Sequence, residues 1–468
     1  MTRPAPRPLL LGQLPPRVAL IVTLSLLLGA CGTQPSASPT RASAGPSAPG
    51  SPTPSAGGGP IGAVQPAPGS KSTVYAPNPG AIVVAIDPGH GGCLDWGVPD
   101  PRQRGVGYSE KTMTLAIGLA LRRLLEAQGV AVVMTRDTDT ALAGDDYPQL
   151  GCRGAKWRDV NGDGESGFDP GGEVRTRDEL QARLDLANVT RADVLVSIHI
   201  NSITQNGVVF SIAATETFYT DETPWGVDVT ARLAQAIQDG VVRSMGEAAP
   251  YDRQDRGIQA QNLYIVAPPL LKTTPERPDP RKQPTRGALM PSVLTEVGSI
   301  TMRQEQSLLA SATGQQAAAD GIFSALATYF SERPLAVGYS LPELDDGPGT
   351  APQPRTGNGP PYWPPSAPGD HLVVRLTNTG SRPWPAGMQL LGAWQATDEP
   401  YLRVPPDHLA PIVPDALPAL APGAAVDVRL ALPSGGSGGR RVAWITVADA
   451  DGPLTELGSP PLQVASGS

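Results

Sequence analysis

The chain carries four histidines, at positions 90, 199, 371 and 408. Two stand in a repeated setting. His90 follows the apolar run Ile82-Val83-Val84-Ala85-Ile86 and the breaker Asp87-Pro88-Gly89, and His199 follows Val194-Leu195-Val196-Ser197-Ile198. Short β-branched runs of this kind predict buried strands. Open α/β sheets place their chemistry just past the carboxyl ends of such strands. Two imidazoles there can converge at one sheet edge and hold zinc, which in hydrolases takes three protein ligands and leaves one position for water. The third ligand is expected to be a carboxylate. Glu110 is the candidate, because it lies between the two histidines in sequence and opens a helix after Gly105-Val106-Gly107; Asp95 and Asp100 compete for the place. The plainer reading of Glu110 is an acidic residue favouring a helix N-terminus. Hydrolysis also needs a base for the water proton. Glu296 ends the apolar stretch Pro291-Ser292-Val293-Leu294-Thr295 and is that candidate. Its plainer reading is a structural ion pair, with an arginine such as Arg256.

These residues need elements to hold them. Apolar residues at helical spacing predict helices over 111–128, 176–190, 227–245 and 304–330. Further buried strands are expected over 130–134 and 292–297, and 208–219 reads as an extended segment at a sheet edge. Strands alternating with helices imply an α/β domain over 81–332: a largely parallel twisted sheet with helices on both faces.

The rest of the chain reads as delivery. Gly and Pro number 53 each among 468 residues, which implies linkers beside folded parts. Residues 32–80 are Pro-, Ser-, Ala- and Gly-rich and cannot bury a core, so they read as a disordered tether. Residues 333–369 read as a second linker. Charged residues make up 17% of the chain and the net charge is −8, which argues against a nucleic-acid partner. Arg3, Arg7 and Arg17 precede an apolar run over 18–28, as in an export signal. That run ends in Leu28-Gly29-Ala30-Cys31, which resembles the lipobox of bacterial lipoproteins. The resemblance implies that residues 1–31 are a lipoprotein signal and that acylated Cys31 anchors the protein to a membrane of the cell envelope. Cys93 and Cys152 remain, and an even pair in an exported protein suggests a disulfide.

The separated motifs IDPGHGG, an acidic residue opening a helix, RLDLAN with ADVLVSIHINS, and PSVLTEVGS resemble the zinc-dependent N-acetylmuramoyl-L-alanine amidases of the amidase 3 family, in that family's order. The resemblance covers about 81–330. It implies cleavage, by zinc-activated water, of the amide between N-acetylmuramic acid and L-alanine in peptidoglycan. It carries zinc ligation onto His90, Glu110 and His199 and the catalytic base onto Glu296. It places Asn201 in contact with substrate or with the ligands. Two other readings are a noncatalytic peptidoglycan-binding envelope lipoprotein and a zinc peptidase acting on stem peptides. The chain departs from the family in a long segment between His90 and Glu110, which holds Cys93, and in an insertion over about 144–173, which holds Cys152.

That insertion contains Asp159-Val160-Asn161-Gly162-Asp163-Gly164, which resembles the first half of a calcium loop of the EF-hand or dockerin kind. Asp159, Asn161 and Asp163 would be ligands, and Asp169 or Glu173 would replace the usual twelfth-position acid, which is Pro170 here. The plainer reading is an acidic turn. Residues 370–468 show short alternating runs between turn residues and predict a small β-sandwich. Asn378-Thr379-Gly380, Pro383-Trp384-Pro385, Trp394, Pro422-Gly423 and Trp444, with Trp363, resemble the immunoglobulin-like FW domain. Tryptophans in such a domain are expected in the sandwich core. A glycan- or protein-binding surface, for instance for an envelope protein partner, is the sharper alternative to this plain core role.

Overall fold

The computed structural model describes residues 78–92, 95–144, 158–164, 177–205, 208–222, 227–269, 284–344, 346–432 and 439–466. The expected export signal, the lipobox and all but residues 78–80 of the first linker, with Cys31, Cys93, Cys152 and Asp169, lie outside them. Strand β1 (Val83–Pro88) is buried along its whole length, as its unbroken apolar run requires. In chain order there follow α1 (Glu110–Ala127), β2 (Ala131–Met134), α2 (Arg177–Val189), β3 (Val194–Asn201), the short strands β4 (Thr204–Gln205) and β5 (Val208–Val209), β6 (Ala214–Tyr219), α3 (Val227–Ala248), β7 (Gln254–Ala260), β8 (Ser292–Ser299), α4 (Arg303–Leu309) and α5 (Ala312–Glu332). Six strands form one sheet in the order β2-β1-β3-β8-β6-β7. The first four are parallel, β6 runs antiparallel to β8, and β7 is parallel to β6.

Alternation along the strands sorts side chains to two faces. Val84, Ile86, Val194, Val196, Ile198 and Val293 pack on one side with residues of α1, α3 and α5. Val83, Ala85, Leu195 and Leu294 pack on the other with α2. The helices therefore cover both faces, as the sequence predicts.

Three local expectations change. Residues 208–219 are not an edge segment: β4 and β5 form a small hairpin, and β6 lies between β8 and β7. The edge is β7, whose Gln-Asp-Arg-Gly-Ile-Gln-Ala sequence is half exposed and lacks an apolar alternation. The single helix over 304–330 is two, because Ser311 adopts an extended conformation and its side chain accepts from Gly314 N, capping α5. The stretch 333–369 is not simply a linker. It holds β9 (Val337–Ser340), which joins β10 (His371–Asn378) and β13 (Ala425–Ala431) in an antiparallel sheet. Val337 and Leu341 are fully buried, which a Pro- and Gly-rich composition concealed.

The remaining strands, β11 (Gln389–Ala396), β12 (Ala410–Pro411), β14 (Arg441–Ala448) and β15 (Leu462–Ser466), form a second antiparallel sheet. Leu372, Val374 and Leu376 of one sheet share an apolar cluster with Leu390, Ile445 and Val464 of the other, and Trp384 lies in it. Trp444 does not. With Val442, Tyr401 and Leu402 it faces the α/β part and joins the cluster of Val83, Ala85 and Leu195. Alternation on β14 thus serves two cores, and the second face of the main sheet is completed by the C-terminal residues. Polar ties cross the same boundary: the Tyr401 hydroxyl lies 2.7 Å from Asp185, Arg191 makes two 2.9 Å bonds to Asp346, and Arg333 lies 2.8 Å from Asp193. No helix among the described residues is long and apolar enough to cross a membrane.

Candidate metal centre

Three elements bring His90, Glu110 and His199 together. His90 sits two residues past β1, His199 lies near the carboxyl end of β3, and Glu110 is the first residue of α1. Their candidate ligand atoms all lie within 4.8 Å of one another, the one such group of at least three His, Cys, Asp or Glu residues among the described residues. Glu110 Oε1 stands 3.2 Å from His90 Nε2 and 3.1 Å from His199 Nδ1. The two rings meet edge to face with centroids 4.7 Å apart.

The backbone is shaped to allow this. His90 has φ 64°, an uncommon conformation for a residue with a side chain, and such strain is found where surroundings impose it. A Cβ at Gly89 would enter the His199 ring, so only glycine lets β1 pass beneath it. Gly97, at φ 63°, similarly leaves room for Glu110 and His90.

Each ligand is held from behind. Asp95 Oδ1 lies 2.7 Å from His90 Nδ1. Glu110 Oε2 accepts from Val98 N at 2.7 Å, and Oε1 accepts from Ile200 N at 2.9 Å. Below them, buried Asp87 accepts from Thr135 and Ser197 at 2.6 Å and pairs with Arg183 of α2 at 2.8 Å. Arg183 also donates to the carbonyl of His90 at 2.8 Å, and Arg136 donates to the carbonyl of Pro88 at 2.8 Å. This buried arginine pair clamps the turn that presents His90. The sequence offered one signal for it, charged residues inside RLDLAN and IDPGHGG where apolar ones would pack.

Of the three acids that compete for the third position, the structure brings Glu110 between the imidazoles. Asp95 backs His90 instead, and Asp100 accepts from Arg102 N at 3.0 Å and Gln306 Nε2 at 2.9 Å in a neighbouring loop. Burial disfavours the His90 imidazolium, yet Asp95 and Glu110 outweigh it and hold its pKa well above the ordinary 6.5. Burial likewise opposes the Glu110 charge, and the two imidazoles overcome it and lower the pKa. Asp95→Asn is expected to weaken metal affinity about tenfold to a hundredfold. Competition with a chromophoric chelator measures this, and unchanged affinity would remove Asp95 from the support of His90.

Glu296 lies on β8 as the register partner of His199 on β3. It is not at the strand's end, as its apolar run suggested, because β8 continues to Ser299. Its Oε2 is buried and has no hydrogen-bond partner among the described residues. Burial, then the Glu110 charge, push its pKa well above the ordinary 4.5, Glu216 adds to the rise and His90 opposes it. The ion-pair reading fails on a specific contact: Arg256 Nε lies 3.1 Å from Glu216. Asn201 ends β3 beyond a register irregularity after His199 and pairs with Ser299.

Residues 84–328 match the family described as N-acetylmuramoyl-L-alanine amidase. The chain belongs to that family. It is an amidase that hydrolyses peptidoglycan. The germination-specific N-acetylmuramoyl-L-alanine amidase of Bacillus subtilis (strain 168) is 25% identical over 251 residues, 54% of this chain and 81% of the relative. The sporulation-specific amidase of the same organism is 25% identical over 252 residues, 53% and 69% of the two chains. The solved structure of the amidase AmiC2 of Nostoc punctiforme is 24% identical, covers 53% of this chain and 97% of that one, and has a TM-score of 0.35.

The calcium reading of the amidase's insertion is not supported. Asp159 accepts from the backbone of Gly162, Asp163 and Gly164 at 2.7, 3.1 and 2.9 Å. Asp163 pairs with Arg177 at 2.9 Å and accepts from Asn161 at 3.0 Å. Over 159–164 the backbone amides and the Arg177 cation close the turn, while Asp169 and Glu173 lie outside the described residues.

Proposed function

We propose that the amidase cleaves the bond between N-acetylmuramic acid and L-alanine at a zinc centre formed by His90, Glu110 and His199, with Glu296 as the base. The donor set fits: two imidazoles and one carboxylate are a hydrolytic zinc triad. Separations of 3.1 and 3.2 Å approach the roughly 3.4 Å edge of a tetrahedron with bonds of about 2.1 Å. Bound zinc would polarise the carbonyl under attack and make water a better nucleophile.

The observation that carries the reading is the orphaned Oε2 of Glu296 beside His199. A buried carboxylate oxygen with no donor is costly unless something arrives to use it. As base, Oε2 takes a proton from the water that attacks the lactyl carbonyl. It then passes that proton to the departing L-alanine nitrogen, so the peptide leaves as a neutral amine. Asp95 fixes His90, and two backbone amides fix Glu110.

Further parts of the reading concern delivery. Peptidoglycan lies outside the cytoplasmic membrane, so the chain is exported, with Cys31 as its lipid anchor and Cys93 joined to Cys152. The C-terminal strands make an immunoglobulin-like sandwich of the FW type. The test is mass spectrometry of peptidoglycan digested by the zinc-loaded protein. Stem peptides with a free L-alanine amine, lost on chelation and restored by zinc, are expected. Cleavage within the stem would make it a zinc peptidase, and no release would make it a binding lipoprotein.

A further inference from the structure

The row that contains His199 and Glu296 does not end there. Glu216 on β6 is the register partner of Glu296, and direct partners across a ladder project from the same face. At β7 the register shifts. Asp255 opposes Thr215 and Ile258 opposes Thr217, so Arg256 and Gly257 together face Glu216. Gly257 adopts φ 72°, and the result is a bulge of the kind that re-aims a side chain. Here it turns Arg256 onto the row, where Nε donates to Glu216 Oε2 at 3.1 Å. The Glu216 side chain is 4% exposed and that of Arg256 26%. Among the described residues the two terminal nitrogens of Arg256 have no hydrogen-bond partner.

We propose that Arg256 is a specificity residue that binds a carboxylate of the stem peptide. The inference rests on the hydrolytic reading above and names which part of the substrate crosses β6 and β7. Adjacent strands lie about 4.8 Å apart, so β7 stands about 10 Å from Glu296. An extended peptide advances about 3.3–3.6 Å per residue. A carboxylate one or two residues beyond the scissile amide therefore falls within reach of the guanidinium. The glycan side offers no such group, because its lactyl carboxyl is consumed in the amide and its other substituents are hydroxyls and acetamides. Glu216 occupies the Nε edge and fixes the plane of the fork. The outer edge is left for paired bonds to a carboxylate, the geometry that suits arginine and not lysine.

The test uses soluble muramyl peptides whose stem carboxylates are converted to carboxamides one at a time. It also uses calorimetric binding of the matching free peptides, which needs no turnover. For the wild-type protein, one carboxylate is expected to improve kcat/KM about tenfold to a hundredfold over its carboxamide, through KM, and to strengthen binding by a similar factor. Arg256→Gln should bring both ratios close to one, and Arg256→Lys should restore part of each. Wild-type ratios near one, or ratios that survive in Arg256→Gln, would overturn the proposal. The wild-type comparison needs no variant to fold. Peptide binding with the expected ratio but without hydrolysis would sink the hydrolytic reading alone, and hydrolysis without discrimination would sink the role of Arg256 alone.

Discussion

Glu296→Gln is expected to lower kcat on peptidoglycan fragments by about 10²–10⁴, the usual contribution of a positioned base, with zinc content unchanged by elemental analysis. Glutamine keeps the shape of the side chain and its place opposite His199 but cannot take a proton. A second readout separates this from structural damage. In the metal-free protein the Glu296 pKa is raised, by burial first and then by Glu110 and Glu216, against His90. A carboxyl whose folded pKa is raised binds its proton more tightly in the native state, so stability falls as pH rises above the unfolded value. Glutamine removes that loss. The metal-free variant should therefore melt above the metal-free wild type at pH 7, with the gain shrinking as pH falls toward the ordinary 4.5 and gone below it. A variant that loses activity and also melts lower would mark Glu296 as a structural residue.

How much of this site was legible in the sequence depended on burial. β1 and β3 are covered on both faces, so they appear as unbroken apolar runs, and a histidine at each end stands out. Glu110 was legible because glycines announce the helix it opens. Glu296 was found for its apolar approach, although the strand runs on through small residues that read as its end. Asp87, Arg183 and Arg136 were missed. Charge inside an apolar element usually means an exposed face, yet here Arg183 and Asp87 are each 1% exposed and satisfy one another. β7 was missed because an edge strand with solvent on much of its length needs no apolar pattern. The calcium expectation followed spacing alone. Spacing does not reveal that Asp159 spends its oxygens on three amides, or that Arg177, from the next helix, meets Asp163.

The second large effect concerns the C-terminal strands. A tethered module would unfold independently of the catalytic part, but Trp444 is fully buried against the face of the main sheet that carries Val83, Ala85 and Leu195. Trp444→Ala is expected to cost about 3–5 kcal/mol, the range for truncating a buried tryptophan. The loss should appear in the unfolding of the catalytic part. Calorimetry of the full chain should show one transition that contains both parts and shifts down as a unit, with amidase activity lost at the same lower temperature. Tyr401→Phe isolates the polar share. Its hydroxyl lies 2.7 Å from both Asp185 and Asn188, and Asp185 also holds Arg286 at 2.8 Å. Removing the hydroxyl leaves buried polar groups short of a partner, at about 1–3 kcal/mol. Two separate transitions, with the catalytic one unmoved by Trp444→Ala, would show that the shared core contributes nothing to the catalytic fold. A single shifted transition would mean that the sheet carrying His90, His199 and Glu296 depends on residues more than 100 positions further along the chain, since Trp444 and Tyr401 belong to the cluster on its second face.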